Sequence, residues 1–215
     1  MSNETIRPFI QKIVTDAREY VQSLLDENRR LHDLLSEIQE ESKKASERYV
    51  EVEQQNTNLA NLYVASYQLH GTLDRERILE SMKEIIINLI GSEELAIWEV
   101  NEEHEELRLA ASFGIDEKPW RTIPLDSNSG LVGIVTASGE RYVAGESPLT
   151  PDGRDAGLLA CIPLKLDDRV IGAIGIFSLL AQKEGLQPVD FELFDLLATH
   201  GATALYCTRL AEVAA

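Results

Sequence analysis

The side chains best suited to nucleophilic or metal chemistry in this 215-residue chain are two thiols, Cys161 and Cys207, and four imidazoles, His32, His70, His104 and His200. A cysteine acts as a nucleophile through its thiolate, which forms in electropositive, partly exposed surroundings. Cys161 instead stands between Ala160 and Ile162 in an apolar run, where it reads as a small buried hydrophobe of a strand. The two cysteines are far apart and form no CxxC, which argues against a disulfide framework and a zinc cluster. His32 lies on a predicted long helix, His70 at its end, His104 in a hairpin turn and His200 on the last helix, and no two share the short spacing that sets two metal ligands on one helix face. No phosphate-cradling glycine loop, nucleophile elbow or kinase signature occurs. These residues imply a chain without a catalytic centre, a bound cofactor or a metal.

The pattern that dominates the chain is mechanical. From Phe9 to His70 there is neither Gly nor Pro, and apolar residues recur every seven positions. Ile10, Ala17, Leu24, Leu31, Ile38, Ala45, Val52 and Leu59 occupy one heptad position, d. Val14, Val21, Asn28, Leu35, Ser42, Tyr49, Asn56 and Tyr63 occupy the other, a. Alternating spacings of three and four set both series in one seam along a helix, and such a seam is buried against another helix. Asn28 and Asn56 bear on the partner, because a buried amide at a is satisfied best by the same amide of a second, parallel chain. The expectation is a parallel homodimer whose seam includes Leu24, Asn28, Leu31, Leu35, Ile38, Tyr49, Val52, Asn56 and Leu59. Leu25, Leu34 and Leu62 flank it and widen the apolar stripe, which leaves room for a larger bundle or a partner's helix.

Charge narrows the partners. The net charge is −17, and residues 71–215 hold 12 Lys and Arg against 25 Asp and Glu, a net of −13. So acidic a surface repels nucleic-acid phosphates and anionic lipid heads. It suits a basic protein partner or simple solubility. The N-terminus MSNETIRPF has no apolar signal core, and no apolar run reaches membrane-spanning length, so the chain reads as cytoplasmic.

After the long helix, the pattern predicts a second helix over 75–90, with Gly71 as a left-handed cap, Asp74 as the new N-cap and Gly91 as the stop. Strands follow at 95–100 and 107–113, joined by a polar hairpin. A short helix over 129–139 comes next, then a strand at 141–144, a loop over 145–157, strands at 158–166 and 170–180, and a last helix from Pro188 to about Glu212. Pro163 within a strand requires an edge or irregular position, and Gly172 and Gly175 leave room where a helix packs on the sheet. The order describes an α+β domain with a mostly antiparallel sheet. Residues 1–8 form a tail, 9–65 the coiled coil and 66–215 the globular domain.

Segments spread over 62–212 resemble the GAF domain family: Thr72-Leu73-Asp74-Arg75-Glu76-Arg77-Ile78-Leu79, Ala96-Ile97-Trp98, Leu109-Ala110-Ala111-Ser112-Phe113-Gly114 and Gly130-Leu131-Val132-Gly133. The same holds for Ser138-Gly139-Glu140-Arg141-Tyr142-Val143, Ala160-Cys161-Ile162-Pro163-Leu164, Ile171-Gly172-Ala173-Ile174-Gly175-Ile176 and Asp190-Phe191-Glu192-Leu193-Phe194. The resemblance implies a six-stranded antiparallel sheet flanked by helices and, in many members, a small-molecule pocket. By family position, its walls would draw on Trp98, Phe113, Trp120, Leu131, Val135, Tyr142 and Cys161, with Arg121, Arg141 and Arg154 at the mouth. The alternative is that the same apolar residues fill the core. Members that attach a bilin do so through cysteines beside His, members that reduce methionine sulfoxide use several cysteines, and neither pattern is present. The motif of cyclic-nucleotide-binding members is also missing. The expected function is a non-enzymatic signalling or regulatory module acting through a protein partner. A small-molecule sensor signalling through the coiled coil is the second reading, and a thiol reductase the third.

Overall fold

The computed structural model describes residues 3–125, 130–146 and 153–214. The expected helix start at Ser129 and the centre of the 145–157 loop lie outside them, as do the side chains of Ile10 and Arg154. The chain forms two compact units, Met1–Asn56 and Thr57–Ala215, with the boundary ahead of the 65/66 division expected from sequence.

The first unit is helical. Helix α1 spans Asn3–His70 and starts ahead of Pro8, where the sequence suggests the first turn. Its apolar seam faces solvent: Leu24, Leu31, Leu35, Ile38, Tyr49 and Val52 are each about half exposed or more. The polar faces carry pairs one turn apart, such as Lys44 Nζ to Glu40 Oε1 at 2.7 Å, worth a few tenths of a kcal/mol each.

In the second unit, the last turns of α1 bury Ala65 and Leu69 completely, whereas Leu59 and Tyr63 remain 63% and 72% exposed. The domain core therefore covers a flank of the heptad and leaves the seam positions open. Gly71 does not adopt the left-handed conformation expected of it. Instead, the Thr72 hydroxyl accepts a hydrogen bond from the Asp74 amide at 3.0 Å, and the Asp74 carboxylate caps the next helix by accepting from the amides of Glu76 and Arg77. That helix, α2 (Arg75–Ile85), runs into a π-helical turn, Ile86–Ile90, which ends at Gly91 with φ 75°.

Six strands make one antiparallel sheet: β1 (Ser92–Asn101), β2 (Glu106–Phe113), β3 (Thr122–Pro124), β4 (Tyr142–Val143), β5 (Ala160–Leu166) and β6 (Arg169–Leu179). Their spatial order is β3-β2-β1-β6-β5-β4. Strand alternation sends Leu95, Ile97, Ile162, Leu164, Ile174 and Ile176 into one buried cluster with α2 and the closing helices. It sends Ala96, Trp98, Cys161 and Ala173 into a second cluster, which helix α3 (Leu131–Ser138) covers. The closing helices are α4 (Pro188–Leu196) and α5 (Ala202–Ala214), joined by a second π-helical turn, Leu197–Gly201. Pro163 sits on β5, one strand in from the edge. Because β4 pairs only with Ala160 and Cys161, the missing N–H of Pro163 faces no neighbouring strand on that side, which meets the irregular position predicted for it.

Two ionic contacts tie helices to sheet. Glu99 on β1 accepts from Arg75 of α2 (Nε to Oε2, 3.1 Å) and from Arg209 of α5 (Nη2 to Oε1, 3.2 Å). Asp190, fully buried at the start of α4, accepts from Lys183 Nζ at 2.7 Å and from the Gln187 amide at 2.6 Å. Lys183 also donates to the Ile90 carbonyl, so it bridges the first π-helical turn and α4.

Candidate functional site

The face of the sheet under α3 gathers most of the residues expected to line a pocket. Trp98, Trp120, Leu131, Val135, Tyr142 and Cys161 belong to one buried cluster, with Trp98 and Cys161 fully enclosed. Gly175 makes this arrangement possible. It pairs with Ala96 on one side and Cys161 on the other, and a Cβ there would lie 2.8 and 2.9 Å from ring atoms of Trp98. At Gly172, a Cβ would meet the Trp98 carbonyl oxygen at 2.3 Å. These glycines thus make room for the ring and backbone of Trp98 on β1, where the sequence suggested room for a helix.

The Trp98 indole N–H donates to the Trp120 carbonyl at 2.8 Å. The rings of Trp98 and Trp120 pack at 5.6 Å between centroids, and Phe177 closes a trio at 6.5 Å from Trp98 and 4.8 Å from Trp120. Tilted and edge-on contacts of this kind are worth about 0.5–1.5 kcal/mol beyond area burial. At the start of α3, the Leu131 amide donates to Asp155 Oδ2 at 2.6 Å, and Asp155 is 2% exposed.

One expected wall residue, Phe113, and two expected mouth residues, Arg141 and Arg121, stand elsewhere. Phe113 is opposite Leu95 in the β1–β2 ladder and therefore points toward the helical face, 48% exposed. A register shift between Ile97 and Trp98 separates its phase from that of Trp98. Arg141 turns to α4, where it pairs with Asp195 at 3.1 Å and lies 5.3 Å over the Phe191 ring. Its charge is thus committed away from the Trp98 cluster. Arg121 is exposed and uses its carbonyl to accept from the Leu109 amide at 3.0 Å.

Phe177, which packs against the cluster, and Asp155, which caps the start of α3, are among the residues not expected here. The alternation Ala173, Gly175, Phe177 along β6 was the available signal for Phe177, since it continues the phase of the strand face that holds Trp98. Asp155 lies within the loop predicted over 145–157 and has no periodic signal of its own.

The chemistry open to this cluster is limited by its burial. Burial pushes the Cys161 thiol far above its ordinary range, and the Asp155 carboxylate pushes it the same way. A thiol so placed stays protonated and is a poor nucleophile. Among the described residues, no group of three or more His, Cys, Asp or Glu could hold a metal ion. A groove of about 540 Å³ opens beside Phe177, lined by Val143, Leu159, Leu179, Leu186 and Phe191 among others.

No curated protein matches the chain. Solved structures share its fold. The GAF domain of a phosphoenolpyruvate-protein phosphotransferase (ptsP) from Coxiella burnetii is 18% identical with a TM-score of 0.58, over 73% of this chain and 96% of that one. A methyl-accepting chemotaxis protein fragment, residues 122 to 287, is 17% identical with a TM-score of 0.54, over 68% and 98%. A free methionine-R-sulfoxide reductase from Neisseria meningitidis, solved with its substrate, is 22% identical with a TM-score of 0.55, over 70% and 89%. The family profile for the GAF domain matches residues 74–207, well over half of the sequence. The chain belongs to the GAF domain family.

Proposed function

We propose that the chain is a non-enzymatic signalling module in which a parallel two-stranded coiled coil pairs two GAF domains and acts through a protein partner. A GAF domain is a signalling and sensory module of regulatory proteins. The observation that carries the reading is the seam of α1, whose leucines, isoleucine and valine stand half exposed along a helix of 68 residues. A surface of that pattern is stabilised by a second helix of the same register. The packing of Trp98, Trp120 and Phe177 on one another supports it, since side chains expected to line a pocket contact each other instead. The acidic surface of the domain favours a basic partner. Among the described residues, no helix is long and apolar enough to cross a membrane.

Native mass spectrometry of the full-length protein, followed by mass analysis of whatever unfolding releases, tests this reading. The expected species is two chains with no small molecule. Two chains carrying one organic compound per domain would overturn the adaptor reading in favour of a sensor. That second reading draws on the groove beside Phe177, through which an occupant would press on the aromatic trio. A thiol-reductase reading draws on the likeness to the Neisseria enzyme, and the burial of Cys161 weighs against it. The expected result with free methionine-R-sulfoxide is no turnover.

A further inference from the structure

The last residue of α1 meets the second π-helical turn through two imidazoles. His70 Nε2 and His200 Nδ1 lie 2.8 Å apart, with ring centroids at 5.1 Å and ring planes at 74°. Both side chains are exposed, so their approach is not forced by core packing. One ring nitrogen donates and the other accepts. Two imidazole nitrogens held this close can also supply half of the ligands of a tetrahedral transition-metal site once the rings turn toward a common ion. With metal–nitrogen bonds of about 2.0–2.1 Å, neighbouring ligand nitrogens stand about 3.3 Å apart, so the rings need to separate by about half an ångström to admit an ion. Each ring would then keep its remaining N–H on the other nitrogen.

Among the described residues of one chain, no third His, Cys, Asp or Glu joins them. The heptad register indicates where the missing ligands come from. His70 is seven residues beyond Tyr63 and so continues the a series that contains Asn28 and Asn56. In a parallel two-stranded coil, an a residue faces its own copy across the axis, which brings His70 of one chain to His70 of the other, each with its His200. We propose that the His70–His200 pairs of two copies form a four-imidazole site for a divalent transition metal of the zinc class at the foot of the coiled coil. The site rests on the parallel pairing proposed above. An ion there would fasten the end of α1 to the closing helices of both copies, in a turn type frequent at functional positions.

The test loads the full-length protein with Zn²⁺, removes free ion and reads chains and ions together by native mass spectrometry. Co²⁺ serves as a second probe, through its absorption spectrum. The expected result is one ion per two chains, an intense tetrahedral Co²⁺ spectrum, and loss of both in His70→Ala and in His200→Ala. Because both side chains are exposed, these variants should fold, and His70→Gln and His200→Gln provide a second pair that cannot ligate in the same way. Two chains without an ion, one ion per chain, or an ion retained by the variants would each overturn the site while leaving the pairing intact. Single chains in the metal-free protein would overturn the pairing and the shared site together.

Discussion

Trp98 is the side chain around which the α3 face of the domain is packed. It is fully buried, donates its indole N–H to the Trp120 carbonyl and rests on Gly175. Replacement by alanine combines lost burial with a cavity, and Trp98→Ala is expected to destabilise the domain by about 3–5 kcal/mol in denaturant unfolding. Gly175→Ala approaches the same contact from the other side. Its Cβ would intrude on an enclosed ring, and a loss of about 1–3 kcal/mol is expected. An unchanged midpoint in Gly175→Ala would show that the ring has freedom to move, and one in Trp98→Ala would show that its burial does not stabilise the domain. Cys161 sets an alkaline limit. Its ordinary value is 9.0 and the fold raises it, so the folded chain keeps a proton that the unfolded chain gives up. The stability linked to this thiol is therefore fully present below about pH 9 and is lost as the pH rises above it. Unfolding of Cys161→Ala across pH 8–11 should show a shallower alkaline decline than the parent. The cluster was legible in the sequence because large apolar residues in strand-like runs are buried as a rule. Phe113 was misplaced because a one-residue shift beside Trp98 changes which face its neighbours share.

At the scale of elements, the order of helices and strands followed from apolar periodicity and from glycines such as Gly91. Three features were not legible. The strand β3 is a three-residue pairing of Thr122–Pro124 with β2, too short for any periodic signal. The two π-helical turns, Ile86–Ile90 and Leu197–Gly201, interrupt stretches that read as continuous helix, because one extra residue per turn leaves the apolar pattern nearly unchanged. The left-handed cap assigned to Gly71 is replaced by the Thr72 and Asp74 side chains, a local substitution that several turn residues allow. The start of α4 gives a direct test of how one element is held. Asp190 is fully buried and accepts from both Lys183 and the Gln187 amide, so Asp190→Ala leaves an enclosed ammonium without its counter-charge and removes a helix-start contact. A loss of about 3 kcal/mol is expected by thermal or denaturant unfolding. A loss below about 1 kcal/mol would mean that Lys183 reaches water instead.

For the molecule as a whole, a long seam of half-exposed apolar residues accompanies a domain whose own core is complete. Asn28 and Asn56 at a positions are expected to lower the stability of pairing while fixing register and strand number. Asn28→Ile with Asn56→Ile should therefore raise the melting temperature of the pair and broaden its distribution to larger assemblies in sedimentation velocity. A variant that gained stability and remained a single two-chain species would assign register to other residues. The most direct measurement is light scattering of the full-length protein beside Leu24→Glu/Leu31→Glu/Ile38→Glu, which places three carboxylates in the seam. A parallel two-stranded coil gives two chains for the parent and one for the variant. A parent of one chain, or a variant that still pairs, would contradict it.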